Sequence, residues 1–364
     1  MNSKKVLFLS GRESNYPRNH IIINSLKKYF LTDVLSTQKQ IVSNSSYFQI
    51  LFQSFICIVK AIPKLIIDKC DALFVGFFGQ FIVIPISLLS RKPIVFDLFV
   101  SAYDTIVDDR KIIKPDSLIA KVLFSLDKIS CRKAKGIFVD TKANLDYFNK
   151  LFSIPKEKMR VIYVGCDENL FVSKNLQENP NLVLYYTSYM PLHGVDVILK
   201  AAKILENTTP INFKIIGDGI EFLKIQNLAK TLNLNNVSFS PSIPLSELPN
   251  EIASASICLG GPFGHTEKAN RVIAGKTYQL LAMKKAIIVS NNEANNELLT
   301  HGKDAWFCEI SDPLSLADAI KYLHKEKSIR KNLGLEGYKT FKKIASLSVI
   351  EKNIYSFFHE ILSN

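Results

Sequence analysis

The sequence predicts an α/β protein built from two Rossmann-like, doubly wound parallel sheets. Short apolar runs typical of buried strands alternate with helical segments, and this alternation restarts after residue 165. The length of 364 residues, with 47% hydrophobic residues, also suits two domains better than one core. Ligands of such sheets bind outside the carboxyl ends of the strands, so we expect the functional site in the cleft between two facing domains.

The first half carries six predicted strands. We expect strands at 6–10, 33–36, 72–76, 93–97, 136–140 and 161–165, and helices at 17–30, 80–89 and 119–135. The uncharged run 72–90 approaches the length of a membrane span, but glycines and a proline interrupt it. We therefore interpret it as a strand buried on both faces, a glycine turn and a helix.

The second half repeats the pattern. We expect strands at 182–188, 213–219, 237–241, 257–261 and 286–290, and helices at 195–205, 222–232, 244–254 and 272–283. Near the end of the chain, Ile350, Ile354, Phe357 and Ile361 recur at helical spacing. This spacing predicts a last helix with one apolar stripe, which packs on a domain.

The excess positive charge is concentrated in the first half. Residues 1–165 hold 25 Lys and Arg against 13 Asp and Glu, whereas residues 166–364 hold 21 against 20. A basic half favours a partner that carries phosphates, either a nucleic acid or an anionic membrane. No nucleic-acid recognition motif accompanies the charge, so we expect no nucleic-acid partner. Lysine enrichment from a biased genome is the alternative, although it would affect both halves.

The aromatic and aliphatic stretch 47–67 is a candidate for membrane contact. Lys60, Lys64 and Lys69 lie toward one end of it, so a helix here would suit a membrane surface, with its lysines at the headgroups. A helix packed on the sheet is the equally favoured alternative.

Two glycine-containing turns follow predicted strands of the second half. Gly194 lies just before the helix 195–205, where free backbone N–H groups can hold a phosphate, and His193 is next to it. Gly217 and Gly219 end another strand, where glycine permits close approach of a ligand or simply a tight turn. Each of these signals is weak alone.

The segment 259–285 is the strongest candidate for an anion site. A predicted strand runs into a loop that contains Gly264, followed by Arg271 and by a predicted helix that carries Lys276 and Gln279. Backbone N–H groups, a helix N-terminus and cationic side chains together suit a diphosphate. A solvated charged loop is the structural alternative. The six cysteines show no CxxC spacing, so neither a disulfide scaffold nor a zinc module is expected.

Several motifs together resemble the GT-B glycosyltransferases of family 4. The motifs are PLHGVDVILKAAKIL, IIGDG, the loop and helix at 260–283, ELL at 297–299, DPLSLADAI at 312–320 and VIYVGCDENLF at 161–171. They cover essentially all of 161–364, whereas over 1–160 the likeness is mostly topological. The resemblance implies a retaining, nucleotide-sugar-dependent enzyme that needs no metal and no cofactor.

The resemblance also implies a division of the chain. An acceptor-side domain would occupy 1–165 and a nucleotide-sugar-binding domain 166–344, and the helix in 345–364 would cross back to the first domain. PLHG marks a variant branch of the family.

The sequence departs from the family at the diphosphate site. An Arg and a Lys are usual where this chain has Ser188 and His193, and two glutamates eight residues apart correspond to Arg271 and Gln279. We therefore expect Arg271 and Lys276 to hold the diphosphate from the opposite wall, with Gln279 reaching the ribose hydroxyls. An inactive copy of the enzyme is the alternative.

In the first domain the resemblance implies two further site residues. Gly11 belongs to a glycine loop that lets donor and acceptor meet. Asp97 is the nearest polar residue to the position where the family often has a catalytic histidine, or it only caps its strand. With Arg271, Lys276 and Asp97 as the catalytic candidates, the expected donor-binding residues are Gly11, His193, Gly194, Gly217, Gly219, Ser242, Gly264 and Gln279.

The expected function is transfer of a sugar from a nucleoside-diphosphate sugar to a glycan or lipid-linked saccharide in cell-surface polysaccharide synthesis. A hexosyltransferase in the cytoplasm, peripheral at the inner face of the plasma membrane, fits the basic first half. Two alternatives stay open: a catalytically silent protein that binds a sugar nucleotide or scaffolds an assembly, and a nucleotide-sugar epimerase on the same fold.

Overall fold

The chain forms two compact units. The computed structural model describes residues 4–37, 47–67, 70–174 and 176–363. The first unit ends at Val164 and also includes the last helix, whereas the second unit runs from Gly165 to Ser346. The division therefore falls within two residues of the boundaries that the resemblance implied.

The first unit contains a six-stranded parallel sheet. Its strands are β1 (Lys5–Ser10), β2 (Leu31–Ser36), β3 (Ala72–Val75), β4 (Ile94–Asp97), β5 (Gly136–Val139) and β6 (Met159–Val161). They are ordered β2-β1-β3-β4-β5-β6. The strand predicted at 161–165 is wrong in position, because β6 pairs with β5 and ends at Val161.

Five helices lie between these strands. They are α1 (Pro17–Tyr29), α2 (Tyr47–Ile67), α3 (Gln80–Leu89), α4 (Leu118–Lys133) and α5 (Lys142–Phe152). A π-helical turn over Asp104–Asp109, which the sequence did not predict, precedes α4. The run 72–90 forms strand β3, a turn and helix α3, which confirms that prediction.

Helices cover both faces of the first sheet. Buried side chains of α2, α3, α4 and α5 form one apolar cluster on one face, and those of α1 and the last helix of the chain form another on the opposite face. In the last helix, Ile350, Ile354, Phe357 and Ile361 are buried. A Cβ at Gly136 of β5 would lie 2.4 Å from Ile361 Cδ1, so this helix lies directly against the sheet.

Helix α2 packs on the sheet through one narrow face. Ile50, Ser54, Cys57 and Ala61 are its buried residues. It is also long and apolar enough to cross a membrane, the one such helix among the described residues. Lys69, which the sequence placed at the end of this stretch, lies outside the described residues.

The second unit contains a second six-stranded parallel sheet. Its strands are β7 (Asn179–Thr187), β8 (Asn212–Gly217), β9 (Val237–Ser240), β10 (Ala255–Leu259), β11 (Ile287–Ser290) and β12 (Trp306–Cys308), ordered β12-β11-β10-β7-β8-β9. Its helices are α6 (Val195–Leu205), α7 (Phe222–Thr231), α8 (Leu248–Ser254), α9 (Glu267–Arg271), α10 (Gly275–Ala282), α11 (Glu293–Leu298), α12 (Pro313–Lys325) and α13 (Lys327–Ile344). The last helix of the chain, α14 (Leu347–Ser363), belongs to the first unit.

The strand order places a switch point between β7 and β10. Connections after β7 lead toward one edge of the sheet and those after β10 toward the other, so the two loops leave the sheet in opposite directions. The helix predicted at 272–283 is confirmed as α10, which begins three residues later than predicted, at Gly275. The separate short helix α9 precedes it, and Val272–Ala274 between the two are not helical. Helix α8 likewise begins at Leu248, later than predicted.

Candidate functional site

The loops after β7 and β10 are locked together at the switch point. The N–H of Gly264 donates to the carbonyl of Leu192 at 3.0 Å. A Cβ at Gly194, where φ is +63°, would lie 2.3 Å from the carbonyl carbon of Phe263, and one at Gly264 would lie 2.3 Å from Pro191 O. Both positions therefore require glycine, because no side chain fits between the two backbones.

Gly194 has a direct role in the contact between the two loops and a less direct one in binding a phosphate. It is the N-cap of α6, as the sequence predicted, but its own N–H donates to the carbonyl of Pro191 at 3.2 Å. In the first turn of α6 the N–H of Val197 donates to the carbonyl of Gly194 at 3.1 Å, so the N–H groups left for a ligand are those of Val195 and Asp196.

Lys276 is the most unusual side chain at the switch point. It is the second residue of α10 and is only 8% exposed. Its Nζ has no hydrogen-bond partner among the described residues and lies 4.0 Å from the centroid of the Tyr185 ring. Burial lowers the pKa of Lys276 to about 7. A buried ammonium without a counter-ion is costly, so this position calls for an anion.

His193 is held as a neutral imidazole beside this lysine. Its Nδ1 accepts from the backbone N–H of Met190 at 3.4 Å and lies 2.7 Å from Thr187 Oγ1. Burial, with a smaller contribution from the Lys276 ammonium, holds the pKa of His193 well below its usual value. The ring proton therefore resides on Nε2, and His193 can donate a hydrogen bond but adds no positive charge.

Gln279 lies one turn after Lys276 on α10. Its Oε1 accepts a hydrogen bond from Tyr186 Oη at 2.7 Å. The oxygen keeps a second lone pair, so the expectation that Gln279 reaches a ribose stays a prediction. Gln279 is partly exposed, and its amide nitrogen is a further donor for a ligand.

Arg271 does not share a helix with Lys276. It is the last residue of α9, and the non-helical residues Val272–Ala274 separate it from α10. The side chain is buried, at 7% exposure. Helix α9 contacts the 3₁₀ turn at 191–193, so Arg271 comes from a segment that is attached to both switch-point loops.

The remaining donor-site candidates of this unit lie toward the β9 edge. Cβ atoms at Gly217 and Gly219 would each lie 1.8 Å from a carbonyl oxygen of the β7 end, those of Thr187 and Ser188. These glycines therefore allow the end of β8 to pass close to β7. Ser242 is exposed in the loop after β9, which is the edge strand and is separated from β7 by β8.

The two first-unit candidates have structural roles. Asp97 is fully buried and accepts from Arg18 through both oxygens, with Nε at 2.8 Å and Nη2 at 2.7 Å. Arg18 also donates to the carbonyl of Ile162 at 2.9 Å. The expectation of Asp97 as a reactive group is corrected, because an ion pair occupies its carboxylate. At Gly11 a Cβ would lie 2.6 Å from Ser54 Oγ, so this glycine lets α2 approach β1.

The sequence analysis did not identify two residues that lie at the switch point. Tyr185 supplies the ring over which Lys276 lies, and its Oη donates to the carbonyl of His193 at 3.0 Å. Thr277 is fully buried, and its Oγ1 has no hydrogen-bond partner among the described residues. A tyrosine inside an apolar strand was the available signal for Tyr185, whereas nothing local distinguished Thr277.

Known proteins resemble the second unit in sequence and the whole chain in fold. Residues 167–340 match the family described as glycosyl transferases group 1. A curated relative, an uncharacterized glycosyltransferase of Methanocaldococcus jannaschii, is 23% identical over 197 residues. That match covers 54% of this chain and 52% of the relative, so it spans about half of the relative's length.

Two solved structures resemble the whole chain. HepE from Anabaena in complex with UDP has a TM-score of 0.70 at 15% identity, over 98% of this chain and 100% of that one. Sucrose-phosphate synthase from Thermosynechococcus elongatus has a TM-score of 0.78 at 12% identity, over 100% of both chains. The predicted fold class is thus confirmed: the chain has two six-stranded parallel α/β sheets and GT-B glycosyltransferases as structural neighbours. Its second unit is similar to the family described as glycosyl transferases group 1.

Proposed function

We propose that the protein is a retaining glycosyltransferase of family 4 type, which moves a hexose from a nucleoside-diphosphate sugar to a glycan or lipid-linked saccharide. The observation that carries the proposal is the buried, unpartnered ammonium of Lys276 at the switch point. A diphosphate is the anion that suits this place, because a helix N-terminus and a donor N–H on His193 accompany the cation.

The chemistry follows from where charge develops. In the proposed reaction the bond between the sugar C1 and the diphosphate oxygen breaks, and the acceptor oxygen forms a bond to C1. The acceptor proton leaves with the diphosphate. The leaving group gains negative charge, which the buried Lys276 and the N-terminus of α10 stabilise. Arg271 is proposed as a second cation, and the first unit as the part that binds the acceptor.

The proposed donor is a uridine-diphosphate sugar. Structures of HepE from Anabaena are described with UDP and with UDP-glucose, and their fold is that of this chain. Fixed cations and backbone N–H groups can neutralise the diphosphate without a metal ion, so we propose that transfer needs none. Equal turnover with and without EDTA tests this part. The proposed setting is the synthesis of a cell-surface polysaccharide.

Donor binding is the direct test. The wild-type protein is titrated with UDP-glucose, GDP-glucose and ADP-glucose while thermal unfolding is followed. A donor at 100 times its dissociation constant adds about 2.7 kcal/mol to the unfolding free energy. We expect stabilisation by one donor class, and loss of that stabilisation in Lys276→Met. Failure of all three donors to stabilise the wild-type protein contradicts the proposal.

Lys285→Met is the matched control for the binding test. Lys285 is as buried as Lys276 and lies in the same unit, but its Nζ is paired with Glu178. Its removal is expected to leave donor binding unchanged. The two alternative functions are separated by product analysis. A silent protein binds the donor but neither hydrolyses nor transfers it, and an epimerase converts the donor without any acceptor.

A further inference from the structure

Helix α2 has a second apolar face, which the described parts of the chain leave exposed. Its buried face consists of the four residues that pack on the sheet. Exposed apolar residues, between 38% and 78% exposed, recur on the opposite side at Leu51, Phe52, Phe55, Val59, Ile62 and Ile66. From Phe52 to Ile66 they recur every three or four residues, and together with Leu51 they form one stripe about 100° wide. We call these six residues the outer stripe.

Neighbouring helices add exposed apolar side chains on the same side of the sheet. Helix α3 contacts α2, and α4 contacts α3. Leu88 and Leu89 at the end of α3 are exposed, as are Leu118 and Val122 of α4. Scattered apolar residues are ordinary on a protein surface, but a stripe with apolar neighbours is typical of a docking surface.

Basic side chains lie at one end of these helices. Lys60 and Lys64 lie near the end of α2, and Lys64 Nζ is 3.7 Å from the carboxylate of Asp33. Where α3 and α4 end, a cavity of about 910 Å³ is lined by six cationic residues and one acidic residue, Glu157. The cationic residues are Arg91, Lys92, Arg132, Lys133, Lys135 and Lys158. We call this group the cationic rim; it is complementary to clustered phosphates.

We propose that the outer stripe inserts into the surface of an anionic phospholipid bilayer while the cationic rim contacts the headgroups. Apolar insertion combined with basic residues is the arrangement of helices that lie in a membrane interface. The cytoplasmic leaflet carries the negative surface potential that such a rim requires, which places the protein at the inner face of the plasma membrane. This inference goes beyond the proposed function, because vesicle binding does not depend on the donor.

Two other modes fit the same surface less well. A second copy docked on the outer stripe by two-fold symmetry would bring the same basic surface close to itself, with repulsion between like charges. A membrane-spanning α2 would have to leave the sheet, because Cys57 and Ala61 belong to the apolar core and Ser54 lies against Gly11. The helix therefore lies on the bilayer surface.

Vesicle flotation of the full chain tests the proposal. The probes are vesicles of phosphatidylcholine alone and of phosphatidylcholine with 30% phosphatidylglycerol. We expect binding to the anionic vesicles, and at least a tenfold lower partition coefficient for the double variant Phe55→Gln/Ile62→Gln. The control, Leu223→Gln/Leu314→Gln, removes two exposed apolar side chains of the second unit and should bind like the wild type.

A second double variant tests the contribution of the cationic rim separately. Arg91→Gln/Lys92→Gln should weaken binding to the anionic vesicles several-fold and flatten its dependence on salt. The proposal is overturned if the wild type does not bind the anionic vesicles, or if Phe55→Gln/Ile62→Gln binds as the wild type does. It is equally overturned if sedimentation shows a dimer that this variant abolishes without vesicle binding. Retention in cell membranes after a carbonate wash would overturn surface binding in favour of a membrane span.

Discussion

The two units have similar six-stranded parallel sheets, but a buried charge is compensated differently at Asp97 of the first unit and at Lys276 of the second. In the first unit, Asp97 at the end of β4 is neutralised by Arg18 of α1, and neither side chain is more than 1% exposed. In the second unit, Lys276 at the start of α10 is almost as buried, but its Nζ has no hydrogen-bond partner among the described residues. Burial alone therefore does not mark a candidate site, whereas a buried cation without a hydrogen-bond partner does.

This difference has a physical reason. A buried ion pair stabilises little relative to apolar residues, yet removal of one member leaves an uncompensated charge. An unpaired buried ammonium carries that cost already, which lowers the pKa of Lys276 to about 7, and a bound anion would compensate for the cost. Asp97 and Lys276 were both candidate catalytic residues on sequence grounds, and of the two it is Lys276 whose polar atom has no hydrogen-bond partner among the described residues.

Removal of the Asp97 carboxylate should produce the largest effect. Asp97→Ala leaves the Arg18 guanidinium buried without its counter-ion, so we expect a loss of about 3–5 kcal/mol in unfolding free energy. This loss is measured by urea unfolding, followed with a spectroscopic signal from the first unit. Glu360→Ala is the control, because the Arg160–Glu360 pair is exposed and should cost less than about 1 kcal/mol. A cost for Asp97→Ala as small as that of Glu360→Ala would mean that the ion pair does not hold β4 to α1.

Removal of the Lys276 ammonium should affect transfer and not folding. Lys276→Ala should lose about 2–5 kcal/mol of transition-state stabilisation, which is roughly thirtyfold to several thousandfold in rate. Sugar transfer is measured as kcat/KM, and urea unfolding is measured alongside. Ser188→Ala, at the position where the family usually has an arginine, should have a far smaller effect. Near-wild-type turnover in both Lys276→Ala and Arg271→Ala would show that these two cations do not hold the diphosphate, whereas absence of turnover in the wild type would favour a catalytically silent protein.

Disruption of the contact between the loops after β7 and β10 should have an effect of intermediate size on stability. Gly194→Ala places a methyl group against the backbone of Phe263 and Gly264 at a φ of +63°, so a loss of about 1–3 kcal/mol in stability is expected. Gly302→Ala is the matched control, since Gly302 has a φ of +73° but nothing within 4 Å of the added Cβ. Thermal unfolding compares the two variants. Equal losses would show that backbone strain, and not the loop contact, sets the cost.

The pH dependence of donor binding gives the smallest and most specific effect. The folded, ligand-free pKa of Lys276 is about 7, and a bound diphosphate raises it, so binding above pH 7 takes up a proton. Affinity for UDP-glucose should fall by up to about tenfold per pH unit between pH 7 and 9. His193 does not contribute in this range, because its pKa lies well below its usual value. Calorimetric titration should show a flat profile for Lys276→Met; a wild-type profile that is also flat contradicts this role.

The sequence by itself determined the architecture. Apolar runs of strand length alternate with helical segments along the chain, and that local pattern was sufficient to predict two doubly wound sheets. It also separated the run 72–90 into strand, turn and helix, because Gly76 and Gly79 mark the turn, although Pro85 lies inside α3. The glycines at 194 and 264 were recognised as special positions, although their reason is the contact between two loops.

Only the tertiary structure decided which polar residues are available to bind a ligand. Asp97 meets Arg18, 79 residues away in sequence, and Gln279 meets Tyr186, 93 residues away. Parallel sheets need long crossovers, so the residues that face each other at the strand ends are far apart in the chain, and no local pattern records the pairing. The same holds for Lys276, whose burial over Tyr185 depends on where α10 begins against β7. Strand periodicity is a local property of the chain, whereas the partner of a buried charge is a property of the assembled sheet.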